Sequence, residues 1–167
     1  MISDTVLRYG EPVLRQIASA VPEFNDEIRE TIMRMYSILE SSGGIGLAAP
    51  QVGLPLRMFV YRVGEDDNFH ALVNPKIVRR NGEETNIEGC LSLPGLHGDV
   101  TRAARIIVVG VDENGEHVRI KAVGLKARMY QHEIDHLDGV LFIDRADPDT
   151  LETEPIGAKE EEPPKEW

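Results

Sequence analysis

Apolar residues at helical spacing mark one long helix in the first quarter of the chain. They recur every three or four positions: Ile28, Ile32, Met35, Tyr36 and Leu39. That spacing is typical of a helix that buries one face. Asn25 is a suitable N-cap for this helix, and Gly43 and Gly44 are expected to end it. A shorter helix is predicted upstream, with Pro12 in its first turn.

The middle of the chain follows a β pattern instead. Four runs rich in aliphatic and β-branched residues predict strands at 58–63, 71–78, 105–111 and 117–123. Asn114 and Gly115 lie between the last two runs, and an Asn-Gly pair in that position indicates a hairpin. These strands are therefore expected to pair antiparallel.

A second long helix is predicted at 125–138, where Gly124 breaks the β pattern and Gly139 ends the helix. Both of its faces are largely apolar, so it is expected to be deeply packed rather than to lie on the surface. The order of elements is helix, helix, several antiparallel strands, helix. That order predicts the α+β class rather than alternating βαβ units.

Composition narrows the functional classes. The formal net charge is −11, and six glutamates against two lysines after Thr150 supply four of those negative charges. Such a surface does not attract DNA by charge. No apolar run is long enough to span a membrane and no secretory signal is visible, so a cytoplasmic protein is expected. The single cysteine, Cys90, excludes an intramolecular disulfide.

Two regions are expected within one chain. Residues 1–147 predict one catalytic domain with its own core. Residues 148–167 shift to Glu, Pro and Lys, which predicts a weakly ordered acidic tail.

The pattern H-E-x-x-H at 132–136 carries the strongest chemical signal. On a helix, His132 and His136 share one face and can bind one metal ion, while Glu133 can reach a water on that ion. A catalytic metal site needs a third protein ligand. From the residues alone, a carboxylate and Cys90 both remain candidates for that ligand.

Two glycine-containing segments could complete such a site. Cys90 lies in the segment 88–95, which could equally be a strand end followed by a Pro-Gly turn. The segment 43–53 fits neither a dinucleotide fingerprint nor a phosphate-binding loop. It could be a plain turn after the first long helix, or it could present backbone groups and the Gln51 amide to a site.

Together the three segments resemble peptide deformylase. The family is marked by G-φ-G-φ-A-A-x-Q, E-G-C-L-S and H-E-x-x-H in that order. This chain has G-I-G-L-A-A-P-Q at 44–51, E-G-C-L-S at 88–92 and H-E-I-D-H at 132–136. The resemblance covers roughly residues 5 to 145. It implies antiparallel sheets packed around a central H-E-x-x-H helix, with helices near the N-terminus.

The resemblance implies a reaction and its residues. Deformylases hydrolyse the N-formyl group from the formyl-methionine of new polypeptides and release formate. Cys90, His132 and His136 would hold the metal, whose bound water attacks the formyl carbonyl. Glu133 would act as general base and acid. The Gln51 side chain and the Leu91 backbone N–H would stabilise the oxyanion.

The substrate is expected to bind as an extended strand with its methionine side chain in an apolar pocket. The expected substrate-binding residues come from three segments: Gly44, Ile45, Gly46, Gly89, Leu125, Arg128 and Met129. The Arg128 stem is expected to line the pocket while its guanidinium reaches solvent. Two further expectations concern carboxylates: Glu88 orients a metal-bound histidine, and Asp135 pairs with Arg102.

The family's metal preference implies one divalent ion, Fe²⁺ first, with Ni²⁺, Co²⁺ or Zn²⁺ able to substitute. The expected partners are N-formyl-methionyl nascent peptides, with contact to the ribosome an open question and a monomer expected. The competing interpretations are a zincin-like metallopeptidase and an inactive ribosome-associated binding module. The roles of Asp135, Arg128 and His97 are left open, and His97 is expected to be a surface or loop histidine.

Overall fold

The computed structural model describes residues 2–64, 66–154 and 166–167. Its α-helices are α1 (Asp26–Ser42), α2 (Gly124–Leu137) and the short α3 (Phe142–Arg145). Three 3₁₀ turns accompany them: Pro12–Arg15, Ala49–Val52 and Pro148–Thr150. The first four strands are β1 (Gly46–Ala48), β2 (Met58–Tyr61), β3 (His70–Asn81) and β4 (Glu84–Cys90). The other four are β5 (Leu93–Arg102), β6 (Arg105–Asp112), β7 (His117–Val123) and β8 (Glu152–Thr153).

These strands form two antiparallel sheets. The larger sheet has the order β1-β2-β3-β6-β7, and the smaller has β4-β5-β8. β4 of the smaller sheet ends at Cys90, and β1 of the larger sheet begins at Gly46. Both strands lie next to α2, because Glu88 of β4 bonds His132 and Gly46 of β1 packs against Glu133. The α+β class with antiparallel sheets around the H-E-x-x-H helix is confirmed.

The larger sheet is buried between the two long helices. Alternate residues of β2 show this directly: Phe59 and Tyr61 pack in the cluster that contains α2, whereas Met58 and Val60 pack in the cluster that contains α1. Side chains of a strand alternate between the two faces of its sheet, so helices cover both faces here. This is why β2 consists of four consecutive buried residues.

A third, smaller core lies under β4 and β5. Leu93 and Val100 pack there with Leu141 and Phe142, which lie at the start of α3. Cys90 belongs to the same cluster. Packing in this cluster therefore anchors the cysteine.

The helices and the main strands agree with the sequence predictions. The Asn25 side chain accepts a hydrogen bond from the Ile28 N–H, and Gly43 ends α1 in the left-handed conformation at φ 74°. Gly139 follows α2 at φ 73°, and a Cβ there would lie 2.6 Å from the Arg15 carbonyl oxygen. The predicted Asn-Gly hairpin between β6 and β7 is confirmed.

The segment 148–167 was expected to be weakly ordered, but both of its described ends contain defined structure. Pro148–Thr150 form a 3₁₀ turn, and β8 pairs with β5 through Leu96 and His97. Trp167 is also buried, with 2% of its surface exposed. Residues 155–165 lie outside the described residues. Main-chain pairing holds β8 in place, and such pairing does not depend on an apolar side-chain pattern.

No helix in the described ranges has both the length and the hydropathy that a bilayer span requires.

One polar side chain fixes the bulge in β3. Asn74 adopts a left-handed conformation at φ 51° and lies where the register between β3 and β6 shifts. Its amide donates to the Val21 carbonyl at 2.9 Å and accepts from the Val21 N–H at 2.8 Å. The residue thereby joins the segment before α1 to the central strand of the larger sheet.

We expect Asn74→Ala to lower the free energy of unfolding by about 2–4 kcal/mol, from two lost hydrogen bonds and left-handed strain on alanine. Asn74→Gly should recover about 1 kcal/mol of that loss, because glycine relieves only the strain. Urea unfolding measures both, with Asn86→Ala on exposed β4 as the control. Equal losses for alanine and glycine would contradict the strain argument.

Candidate active site and metal centre

Three potential metal ligands converge where α2 meets the end of β4. One ligand atom from each of Cys90, His132 and His136 lies within 4.8 Å of the others, and all three residues are buried. The Cys90 sulfur lies 3.4 Å from Nε2 of His136. The two histidines lie one helical turn apart on α2, as the i, i+4 spacing requires.

The donor set fits a divalent cation. His132 Nδ1 is engaged by the Glu88 carboxylate at 2.9 Å, while its Nε2 is buried with no hydrogen-bond partner among the described residues. A buried polar atom without a partner is costly unless a ligand satisfies it. One thiolate and two imidazoles form a set that binds Fe²⁺, Zn²⁺ and related ions.

Burial sets the protonation of these ligands in the metal-free chain. It lowers the pKa of His136 well below its ordinary value, with the charges of His132 and Arg102 adding to the effect. His136 is therefore neutral, as a ligand must be. Burial also raises the pKa of the Cys90 thiol. A cation at this site opposes that shift, since it stabilises the thiolate directly.

Glu133 lies deep in the site with both carboxylate oxygens buried and without partners in the described part of the chain. Burial, aided by the charge of Glu88, raises its pKa well above the ordinary value, against an opposing effect of Arg102. A Cβ on Gly46 would lie 2.6 Å from Oε1 of Glu133. Only glycine lets β1 approach the carboxylate this closely.

Gln51 reaches the same site from the 3₁₀ turn after β1. Its Oε1 accepts the Ala48 N–H at 2.9 Å, which fixes the amide orientation. Its Nε2 lies 3.2 Å from the Ser92 hydroxyl and 3.7 Å from the Cys90 sulfur. The Leu91 N–H donates to the Trp167 carbonyl oxygen at 3.0 Å. Two N–H donors, those of the Gln51 side chain and the Leu91 backbone, therefore lie next to Cys90.

A buried network of charges supports the metal ligands. Glu88 is fully buried and accepts hydrogen bonds from Arg102 at 2.5 and 2.9 Å, from Arg128 at 2.7 Å and from His132. Burial alone would raise the pKa of Glu88, but the bonds and charges of His132 and Arg102 lower it to about 2. The carboxylate is thus ionised at neutral pH, and it orients His132 as expected.

Arg102 extends the network to Asp135, which also accepts two hydrogen bonds from Arg145. The expected pairing of Asp135 with Arg102 is confirmed. No sequence pattern pointed to Arg145. Its contact with Asp135 could not be predicted from the sequence, because that contact depends on how the chain turns after α2.

Two sequence expectations, those for Arg128 and His97, need correction. The Arg128 guanidinium is buried and bonds Glu88 and the carbonyl oxygens of Val100 and Glu84, so it does not reach solvent. Its many acceptors outweigh the cost of burying the charge. Leu125, an expected substrate-binding residue, is 41% exposed.

His97 is not a surface or loop histidine. It lies in β5 and is buried against Gly89, where a Cβ would meet the ring carbon Cδ2 at 2.7 Å. The expectation failed because β4 and β5 carry too many polar and glycine residues to show a strand pattern.

The chain matches known proteins over most of its length. Residues 3–152 match the family model described as polypeptide deformylase. A peptide deformylase of Carboxydothermus hydrogenoformans is 44% identical over 142 residues, which cover 85% of this chain and 92% of that protein. This chain belongs to the polypeptide deformylase family.

Solved deformylase structures share the fold as well. The peptide deformylase of Thermotoga maritima superposes with a TM-score of 0.82 at 42% identity, covering 86% of this chain and 97% of that one. A peptide deformylase of Synechococcus elongatus in complex with actinonin gives 0.80 at 45% identity, over 85% and 78%. The deformylase family is metal-dependent, and its reaction removes the N-formyl group from nascent polypeptides.

We expect Cys90→Ala to abolish tight metal binding, because two imidazoles alone leave the deformylase site one protein ligand short. Metal content after dialysis, measured by elemental analysis, tests this. Ser92→Ala, two residues away and equally buried, should retain the metal. Full metal content in Cys90→Ala would instead favour a carboxylate as third ligand, as in a metallopeptidase.

We expect Glu88→Gln to cost about 3–5 kcal/mol of unfolding free energy, because Arg102 and Arg128 lose the charge that compensates them. It should also weaken metal binding about 10–100-fold through the loss of the carboxylate on His132. Denaturant unfolding and metal titration measure the two effects. Glu84→Gln is the matched control, since only the backbone of exposed Glu84 bonds Arg128. A stable, metal-tight Glu88→Gln protein would refute the assigned role.

Proposed function

We propose that this chain hydrolyses the N-formyl amide of formyl-methionyl nascent peptides, with Cys90, His132 and His136 holding one divalent ion. The observation that carries the proposal is the buried Cys-His-His cluster beside a glutamate whose two oxygens have no partners among the described residues. When bound, such an ion supplies a Lewis acid that polarises the formyl oxygen and acidifies a water.

Glu133 is the proton carrier in this proposal. It lies between the two histidines on α2, and burial keeps its carboxylate free of competing hydrogen bonds. Burial raises the pKa of Glu133 in the metal-free chain, and a cation at the site would oppose that shift. Glu133 takes the proton from the attacking water and delivers it to the amine that leaves when the C–N bond breaks. Formate and a free N-terminus result.

Gln51 and Leu91 are the proposed oxyanion donors. The formyl oxygen gains negative charge when the carbonyl carbon becomes tetrahedral, so donors fixed in advance stabilise that state. The Gln51 amide is held by Ala48, and the Leu91 N–H belongs to the backbone next to Cys90. Both donors are therefore positioned before substrate arrives.

The proposed peptide groove lies between Gly44–Gly46 on one side and Gly89–Leu91 on the other. Main-chain groups of both segments can pair with an extended peptide whatever its side chains. Ile45 and Met129 lie in one apolar cluster that reaches the His132 ring through Trp167. We assign the methionine pocket to this cluster, with Leu125 at its rim and the Arg128 stem behind it.

Several finer points rest on the chemistry of the site. We propose Fe²⁺ as the native ion, with Ni²⁺, Co²⁺ or Zn²⁺ as substitutes, because a mixed thiolate and imidazole set accepts all four. We further propose that the chain acts as a cytoplasmic monomer on peptides as they leave the ribosome. Comparing turnover across the four ions would identify the best metal.

A metallopeptidase would share the H-E-x-x-H helix. Its substrates carry a peptide bond with residues on both sides. Here the buried Cys90 lies close enough to His132 and His136 for all three to bind one ion, which favours the deformylase assignment. Formate release separates the two activities, since a peptidase yields none.

We expect the metal-loaded protein to release formate from an N-formyl-methionyl peptide, assayed anaerobically with Fe²⁺ or aerobically with Ni²⁺. Glu133→Gln should retain the metal but lose turnover by about 10²–10⁴-fold, because it cannot move the proton. Formate quantification and elemental analysis measure both properties. Undiminished turnover in Glu133→Gln would disprove the proton-carrier role, and no formate with any ion would disprove the function.

A further inference from the structure

The end of the chain lies in the groove that we assign to the peptide substrate. The Glu166 carbonyl accepts the Ile45 N–H at 3.3 Å, and the Trp167 carbonyl accepts the Leu91 N–H at 3.0 Å. Glu166 also forms a parallel bridge with Gly89. These two residues, which we call the tail end, thus pair with both walls of the groove.

Trp167 fills the apolar pocket of the same site. Its ring packs edge-on against His132 with 5.0 Å between centroids. It belongs to the cluster that contains Ile45 and Met129, and 2% of its surface is exposed. The side chain therefore excludes any other side chain from the pocket assigned to methionine.

Gly95 forms hydrogen bonds both with the tail end and with the residue that follows β8. The Glu154 N–H donates to the Gly95 carbonyl at 2.9 Å, and the Gly95 N–H donates to the Glu166 carboxylate at 3.0 Å. Glu154 and Glu166, which flank the eleven residues 155–165, therefore both bond Gly95. A connection this short gives an effective local concentration on the order of millimolar.

The chemistry of the bound segment is that of a competitor and not of a substrate. In the proposed binding mode, the formyl group of a peptide lies at the Leu91 donor and the following residues run away from the metal ligands. The tail end runs the opposite way, since Glu166 pairs at Gly89 and the later Trp167 reaches Leu91. No formyl amide lies at the oxyanion donors, so the segment can occupy the site without being hydrolysed.

We infer that the tail end is an intramolecular competitive inhibitor, which formyl peptides must displace before turnover. The inference rests on the proposed function, because it assigns the same groove to substrate. The Trp167 indole N–H is buried without an acceptor in the described part of the structure. The buried, unpaired N–H makes binding of Trp167 in the pocket less favourable than binding of an apolar methionine side chain. A substrate can therefore displace the tail end.

The expected result of Trp167→Ala is a lower KM for a formyl-methionyl peptide with little change in kcat. If the tail end occupies the groove in about 90% or more of molecules, KM falls about tenfold or more. Trp167→Phe, which keeps an aromatic ring, should give an intermediate value. Tyr9→Ala, which removes an exposed aromatic side chain outside the groove, should leave KM unchanged.

Fluorescence provides a second readout that does not depend on turnover. Trp167 is the sole tryptophan of the sequence, so its emission reports the tail end alone. In the Ni²⁺-loaded Glu133→Gln protein, saturating formyl-methionyl peptide should shift the emission to longer wavelength as the ring leaves the pocket. The shift should not depend on protein concentration, because the contact lies within one chain.

Unchanged KM in Trp167→Ala together with unshifted emission would overturn the inference while leaving formate release intact. A shift that depends on protein concentration would also overturn it, since the occupant would then come from a second copy. Conversely, a peptide-induced shift without formate release from the parent protein would support the tail-end contact and reject the proposed hydrolysis.

Discussion

The site depends on one buried carboxylate, that of Glu88. It lies near the end of β4, where it holds the His132 ring through Nδ1 and accepts hydrogen bonds from Arg102 and Arg128. Burying a single charge costs several kcal/mol, so the carboxylate is stable there only because Arg102 and Arg128 compensate it. The two arginines in turn are tied to α2 and β5. The orientation of a metal ligand is thereby coupled to the contact between the smaller sheet and the central helix.

Close backbone approach is the second constraint. β1 can lie beside α2 only because Gly46 has no side chain where the Glu133 carboxylate lies, and β4 can lie beside β5 only because Gly89 leaves room for His97. These contacts place the walls of the groove on either side of the metal ligands. The glycines that the sequence analysis assigned to substrate binding therefore also set the width of the site.

The sequence predicted the elements whose patterns arise from burial. α1 and α2 were visible because each carries apolar residues at helical spacing, and the β6–β7 hairpin was visible through Asn114-Gly115. β4 and β5 were missed because Ile87 is exposed and the strands contain Glu, Asn and Gly, so pairing rather than alternation defines them. The direction of Arg128 was missed for a related reason: its acceptors, Val100 and Glu84, are distant in sequence.

The tail shows why composition alone misleads at a functional site. A segment rich in Glu and Pro cannot build a core of its own. It can still bind where another part of the chain offers unpaired main-chain groups and an apolar pocket, and an enzyme groove for extended peptides offers both. In the proposed binding mode, the groove pairs with the backbone of the peptide rather than with its side chains. The same tolerance that lets it accept diverse substrates also lets it accept Glu166 and Trp167 of its own chain.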